Sequence, residues 1–186
     1  MWDQLKQWDR QLFIYLNSLG IESHDDFWIF VTQPEHWIPL HILFFALFFI
    51  SFHWRKALLT SLFLLAAVFT TWGFTNLVKG LVLRLRPNNN PNLIEIIRIL
   101  QEPTNYSFFS GHASTSFAAV TFIVLALKEK SNWIFLAYIW PIIFVLSRIF
   151  VGVHYPGDIM VGALVGIIMA YIFFWLYIKS GKRFYV

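Results

Sequence analysis

The chain has 186 residues, of which 58% are hydrophobic, 20% aromatic and only 13% charged. This composition lies outside the range of ordinary soluble domains and predicts a membrane protein. The absence of cysteine excludes disulfides, thiolate catalysis and cysteine-ligated metal sites. No linker, repeat or low-complexity tract divides the chain. We therefore predict one all-α domain over residues 1–186, a helical bundle embedded in a membrane.

Residues 1–19 predict an amphipathic helix lying on the membrane surface. The first ten residues, MWDQLKQWDR, contain acids and no continuous apolar core, so a cleavable signal peptide is not expected. One side of the predicted helix carries the polar residues Asp3, Lys6 and Arg10. The opposite side carries apolar residues at helical spacing: Trp2, Leu5, Trp8, Leu12 and either Tyr15 or Leu16.

Five later segments are apolar enough to predict transmembrane helices, with a sixth span left open. The first is close to the lower limit of about 17 to 25 residues that a spanning helix needs. Short polar turns separate the segments, which cover residues 37–52, 57–78, 112–127, 133–153 and 156–178.

The distribution of charge predicts the orientation of these spans. Five spans place the N-terminus, the 83–110 loop and the 151–158 turn on one face of the membrane. The other face carries one acid, Glu129, and seven cations: Arg55, Lys56, Lys128, Lys130, Lys179, Lys182 and Arg183. Positive charge is retained inside, so this face is expected in the cytoplasm and the first face in the periplasm or outside. The alternative is that a bias of this size arose by chance in so small a protein. Loss of the short first span would also change the count.

Three stretches with ionisable residues fall together on the predicted outer face: KGLVLRLRP at 79–87, SFFSGH at 107–112 and SRIFVGVHYPGD at 147–158. Phosphoryl transfer depends on positioning and on stabilising charge over several oxygens, and arginine's fork suits two of them. The stretches supply cations, a hydroxyl, a glycine, imidazoles and a carboxylate: Lys79, Arg86, Arg148, Ser110, Gly111, His112, His154 and Asp158. This set suits a phosphate-ester hydrolase that works without a metal.

Helix ends suggest how these residues are arranged. Ser110 can cap the third span, and Gly111 lets the backbone approach an anion at the start of that helix. Pro156 suits the first position of the last helix, which leaves His154 just outside the helix and Asp158 in its first turn.

These positions assign chemical roles to the ionisable groups. Asp158 can then fix the tautomer of His154 so that its other nitrogen is free to attack phosphorus. His112, approaching from another span, can protonate the leaving oxygen.

Each residue taken alone also has a structural interpretation. Arg84 is expected to be a membrane anchor, His154 an interfacial histidine, and Asp158 a partner of the helix dipole. The aromatic residues are expected to face lipid. Structural roles are also expected for His24, His36, His41 and His53. The convergence of three motifs on one face favours a functional site.

The spacing of the motifs resembles the three-part signature of the type 2 phosphatidic acid phosphatase superfamily. The matching pattern is Lys79, six residues, Arg86–Pro87; Ser110–Gly111–His112; and Ser147–Arg148, five residues, His154, three residues, Asp158. The resemblance implies that His154 forms a phosphohistidine, that Asp158 orients it and that His112 is the general acid. It implies phosphate binding by Lys79, Arg86, Ser110, Gly111 and Arg148. It implies no metal or other cofactor.

The sequence departs from the family pattern in two places. Phe109 stands where the family usually has proline, from which we expect altered loop geometry without loss of activity. The family's membrane members commonly have six spans rather than five with a surface helix. The 88–110 segment is also long for a connector and contains the amphipathic run LIEIIRIL, so we predict a lid or a lipid-entry element.

These features predict a metal-independent phosphatase of the cytoplasmic membrane that hydrolyses a phosphate monoester or pyrophosphate on a lipid. An outward site favours polyprenyl (undecaprenyl) pyrophosphate. Phosphatidylglycerophosphate, phosphatidic acid and lipid A phosphates remain alternatives, since no residue selects the lipid tail. A phosphotransferase and a noncatalytic lipid- or anion-binding protein also remain open. A transporter would place polar residues nearer mid-membrane and show a repeat. No nucleic-acid partner is expected, and no oligomeric state is predicted.

Overall fold

The computed structural model describes residues 1–184. All regular secondary-structure elements in that range are helices. This confirms the predicted all-α class. Short 3-10 helices at Pro34–Trp37 and Asn132–Tyr138 lead into two of the α-helices. The α-helices are α1 Trp2–Ser18, α2 Asp25–Thr32, α3 Ile38–Ser51, α4 Trp54–Val82, α5 Gly111–Leu127, α6 Ile139–Phe150 and α7 Pro156–Phe184.

Four segments are long and apolar enough to cross a membrane: Pro34–Ser51, Trp54–Asn89, Asn132–Phe150 and Pro156–Ser180. The fifth predicted span is α5, an apolar helix of 17 residues. All five predicted segments are therefore helical in the structure, and the protein is a multi-pass membrane bundle. The largest difference between predicted and observed bounds is at α4, which covers Trp54–Val82 where residues 57–78 were predicted.

Helix α5 lies at the centre of the bundle, between α4 and α7. Its contact with α7 depends on two glycines. A Cβ atom at Gly162 would lie 2.7 Å from the carbonyl oxygen of Ser110, and one at Gly166 would overlap the carbonyl oxygen of Ser114. Small residues let two membrane helices approach closely. The starts of the two helices are joined as well, because Ser110 N donates to the carbonyl of Asp158 at 3.0 Å.

The N-terminal helix α1 packs against α6 and α7. Asn17 is buried, and its side-chain amide donates to the carbonyls of Ile149 at 2.9 Å and Arg98 at 3.1 Å. The predicted helix is therefore present. Its membrane-surface position stays a prediction, for which the exposed apolar side chains are suitable: Leu5, Trp8, Leu12 and Tyr15. The side chain of Trp2 lies outside the described part of the structure.

Two segments lie outside the predicted transmembrane helices. Helix α2 has no counterpart among the predicted elements, because its eight residues are too few for a helical period to emerge. The 88–110 segment forms turns rather than an α-helix, with Leu93 buried. It lies across the end of the bundle, where Leu100 N donates to Val151 O at 3.1 Å and Ser107 N to Arg84 O at 2.9 Å.

The opposite end of the bundle is basic. The Nζ atoms of Lys56 and Lys130 lie 4.6 and 6.0 Å from the ring centroid of Phe52, so the turns before α4 and after α5 meet there. The side chains of Lys182 and Arg183 lie outside the described part of the structure. The basic turns that contain Lys56 and Lys130 therefore come together at one end of the bundle, away from the three motifs.

Candidate active site

The structure brings all eight predicted site residues to one end of the bundle. They are carried by four helix ends and two connectors. Lys79 lies in the last turn of α4 and Arg148 in the last turn of α6. The cationic side chains are buried, with Arg86 and Arg148 only 4% exposed. The remaining members are Arg86, just after α4; Ser110, Gly111 and His112, at the start of α5; and His154 and Asp158, around the start of α7.

The helix ends adopt the predicted arrangement. Ser110 is the N-cap of α5, and its Oγ accepts a hydrogen bond from Ala113 N at 3.4 Å. Pro156 is the first residue of α7, His154 precedes the helix, and Asp158 lies in the first turn. Asp158 Oδ2 also accepts from Tyr155 N at 3.1 Å, which satisfies a backbone donor just before the helix.

His154 and Asp158 are in contact and fully enclosed. His154 Nδ1 lies 3.3 Å from Asp158 Oδ2, and Arg86 Nη1 lies 2.9 Å from His154 Nε2. Arginine can only donate, so Nε2 must be the acceptor and hold the free lone pair. Nδ1 then carries the proton and donates it to the carboxylate. The contacts therefore select the tautomer in which Nε2 is unprotonated.

The surroundings of His154 keep the imidazole neutral. Burial lowers the pKa of His154 well below its usual 6.5, and the neighbouring Arg86 and Arg148 lower it further. Each of these effects disfavours an additional positive charge on the imidazole. At neutral pH His154 is therefore an uncharged base with a free lone pair.

Asn105, which is not among the residues predicted from the sequence, holds Arg86 in place. Arg86 Nε donates to the Asn105 carbonyl at 2.8 Å, and Nη2 donates to Asn105 Oδ1 at 2.7 Å. Arg86 Nη1 also donates to the carbonyl of Val153 at 2.9 Å. Asn105 lies in the irregular 88–110 segment, where no periodicity or motif marks it.

Helix α2 supplies a second set of contacts. Arg148 Nη1 donates to Thr32 Oγ1 and, at 3.0 Å, to Gln101 Oε1. The Nε atom of Arg148 is buried without a hydrogen-bond partner among the described residues. The Thr32 carbonyl also interacts with the His112 ring. The same ring packs against Phe144, with the ring centroids 4.8 Å apart. Thr32 thus links the predicted general acid to a predicted phosphate ligand.

Arg84 corrects one expectation from the sequence. It is not a free membrane anchor, since its Nη1 lies 2.7 Å from Asp158 Oδ1 and its Nη2 lies 2.7 Å from Asp9 Oδ2. The reason is local: Leu83 ends α4 in the left-handed conformation, with φ of 53°, a common helix ending. The chain leaves the helix axis there, and Arg84 reaches the start of α7.

A cavity of about 430 Å³ lies beside the cluster, bounded by α3, α4, α5 and α6. One end is polar and is lined by Lys79, Arg86, Asn105, Gly111 and His112. The remaining wall is mostly apolar, with aromatic and aliphatic side chains that include Phe44, Phe45, Leu64, Val68, Phe69, Trp72 and Phe144. A cavity with convergent polar groups at one end of an apolar wall is typical of a ligand site, here for an amphipathic anion.

The chain belongs to the PAP2 superfamily, whose sequence model matches residues 56–182. This confirms the resemblance predicted from the three motifs. The lipid A 4'-phosphatase of Bacteroides thetaiotaomicron is 27% identical over 94% of this chain and 79% of its own. The undecaprenyl-diphosphatase of Sulfolobus acidocaldarius is 32% identical over 84% and 72% of the two chains.

The fold is also similar to that of a solved structure. The PAP2-type phosphatidylglycerolphosphate phosphatase of Bacillus subtilis superimposes with a TM-score of 0.73, at 18% identity, over 98% of this chain and 88% of that chain. This likeness supports the arrangement of the helices that carry the cluster.

Proposed function

We propose that this protein is a metal-independent lipid phosphatase that works through a phosphohistidine at His154. The observation that carries the proposal is the position of His154 Nε2, unprotonated and in contact with Arg86, beside the polar end of an apolar cavity. Cations suited to phosphate oxygens lie next to a base of the correct tautomer, and the cavity suits a lipid tail.

In the first step the Nε2 lone pair attacks phosphorus and the bond between phosphorus and the leaving oxygen breaks. His112 gives its proton to the leaving alkoxide or phosphate. Asp158 stabilises the positive charge that develops on the imidazole. Lys79, Arg86, Arg148, the Ser110 hydroxyl and the Gly111 amide hold the phosphoryl oxygens.

In the second step water attacks the phosphohistidine and gives a proton to His112. The phosphorus–nitrogen bond breaks, inorganic phosphate is released and Nε2 regains its lone pair. The proton on Nδ1 stays between His154 and Asp158 throughout, so both residues return to their starting state.

We propose polyprenyl pyrophosphate as the substrate. The mostly apolar wall of the cavity suits a prenyl chain, and the undecaprenyl-diphosphatase relative supports the choice. Lipid A phosphate is the second candidate, favoured by the relative that aligns over 94% of this chain. The two differ in their head groups, since lipid A presents its phosphate on a sugar.

We further propose that the site opens to the periplasm or exterior of a cytoplasmic membrane. The basic turns that include Lys56 and Lys130 lie at the opposite end of the bundle, and positive charge is retained on the cytoplasmic side. A polyprenyl carrier that is dephosphorylated after use becomes available on the outer side, which fits this orientation.

The test is phosphate release by purified, detergent-solubilised protein in EDTA. The substrates are a polyprenyl pyrophosphate, lipid A, phosphatidylglycerophosphate and phosphatidic acid. His154→Ala removes the nucleophile, and His53→Ala, an exposed histidine at the far end, is the matched control. Release that survives EDTA, persists in the control and is lost in His154→Ala supports the proposal. Full turnover by His154→Ala overturns it, and transfer of phosphate only to an added alcohol indicates a phosphotransferase.

A further inference from the structure

Asp9 of α1 reaches the start of α7. Its Oδ1 accepts a hydrogen bond from Gly157 N at 2.7 Å, and its Oδ2 pairs with Arg84 Nη2 at 2.7 Å. The approach is close, because a Cβ atom at position 157 would lie 2.9 Å from Asp9 Oδ2. A carboxylate there satisfies an open backbone donor and the positive end of the helix dipole.

Arg84 connects this carboxylate to Asp158. Its two terminal nitrogens bind one carboxylate each, and its guanidinium lies 3.9 Å from the ring centroid of Tyr155. The guanidinium is therefore held on three sides. Asp158 uses Oδ1 for Arg84 and Oδ2 for His154 and Tyr155 N. Arg84 thus sets the rotation of the carboxylate that presents Oδ2 to the imidazole.

We propose that Asp9 and Arg84 are positioning residues for the Asp158–His154 pair, and that α1 is thereby part of the catalytic apparatus. This inference rests on the proposed role of His154 as nucleophile. It places a supporting contact in α1, ahead of the residues that carry the family motifs. Neither residue touches the substrate. They act by fixing Asp158, whose side chain is fully buried.

A purely structural ion pair would predict a different result. Removing it would lower the thermal stability and would affect the reaction equally with or without the Asp158 carboxylate. A positioning role predicts non-additivity, because residues that act as a unit lose their effect once one member is gone. The measurement is the rate of phosphohistidine formation in a single turnover with radiolabelled polyprenyl pyrophosphate, together with thermal unfolding in detergent.

The variants are Arg84→Gln, Asp9→Asn and Asp158→Asn, and both double variants with Asp158→Asn. We expect Arg84→Gln to slow phosphohistidine formation about 10- to 100-fold, the usual range for a residue that orients another, and Asp9→Asn about 3- to 10-fold. In the Asp158→Asn background each should change the rate less than about 2-fold. Asp3→Asn, on the exposed part of α1, and Arg55→Gln, at the far end, are charge-matched controls.

Arg84→Lys keeps the charge and should recover part of the rate. Equal effects of Arg84→Gln in the two backgrounds, or rates like those of the controls, overturn the inference. If Arg84→Gln fails to fold, the milder Asp9→Asn decides by the same comparison. Failure of the proposed function is a separate outcome, recognised when the unaltered protein forms no phosphohistidine or when His154→Ala still forms one.

Discussion

Arg86 Nη1 lies 2.9 Å from Nε2 of His154, and this is the atom proposed to attack phosphorus. Arg86, rather than His154, lines the cavity. A phosphoryl group that enters must therefore draw Arg86 onto its own oxygens, and this exposes the lone pair of His154. In the proposed mechanism, the cation that stabilises the transition state therefore also covers the nucleophile before the substrate arrives.

Asn105→Ala should lower kcat/KM about 10-fold. Asn105 accepts two hydrogen bonds from the Arg86 guanidinium through its side chain, and a hydrogen bond to a charged group contributes about 1.5 to 3 kcal/mol. Without these contacts the Arg86 guanidinium adopts orientations in which it cannot bind the phosphate. Steady-state kinetics on a lipid phosphate test this prediction. Asn92→Ala is the matched control, because Asn92 is exposed in the same segment; equal rates for the two variants would contradict the role of Asn105.

The acid limb of the pH profile should lie below pH 6.5. In the proposed mechanism the neutral imidazole is the attacking form, so activity should fall as His154 takes up a proton. Burial, followed by Arg86 and Arg148, lowers the pKa of His154, so the neutral form persists to lower pH. The measurement is kcat/KM against pH between about 4 and 8, with His53→Ala as the control. An acid limb above pH 6.5 in both proteins would show that the site does not lower the pKa of His154.

Gly166→Ala should destabilise the protein by about 1 to 3 kcal/mol, the usual effect of overpacking. The added methyl group would overlap the carbonyl oxygen of Ser114 on α5. Gly73→Ala is the control, because no atom lies within 4 Å of a Cβ at that position and alanine favours helix by about 1 kcal/mol. In thermal unfolding in detergent, the melting temperature of the control should equal or exceed that of the unaltered protein. The melting temperature of Gly166→Ala should be lower. A Gly166→Ala protein as stable as the control would contradict the tight contact.

Val68→Trp should separate long-chain from short-chain substrates. Val68 lines the apolar wall of the cavity and is half-buried, so an indole there narrows the space for a lipid tail. Losing contact with two methylene groups weakens binding by about 1.6 kcal/mol, or roughly 10-fold. We expect KM to rise for a long-chain phosphate and to stay unchanged for a short water-soluble one. Leu62→Trp, on the exposed face of α4, should change neither value.

Much of the fold could be predicted because its signals are local. Apolar runs identify the spans, and the cap at Ser110 and Pro156 at the start of α7 follow from residue types at helix ends. The three motifs could be placed on one face because each adjoins a predicted span. Helix α2 gave no such signal, being short and acidic at its start.

The supporting contacts could not be predicted, because they join residues far apart in the chain. Asp9 and Arg84 are separated by 75 positions, and neither lies in a pattern that marks the other. Arg84 alone is indistinguishable from a cation at a membrane surface. Only the left-handed residue that ends α4 directs it to Asp158, and a leucine at that position carries no sequence signal for that conformation.

The apolar wall and the charged cluster are built from different parts of the bundle. The wall comes largely from the middle of α3 and α4, whereas the cluster sits at helix ends held together by the glycine contact between α5 and α7. Substitutions can therefore accumulate along the wall without shifting the reacting groups. Under the proposed function, the fit of the wall to a lipid tail can change while the reacting groups keep their positions.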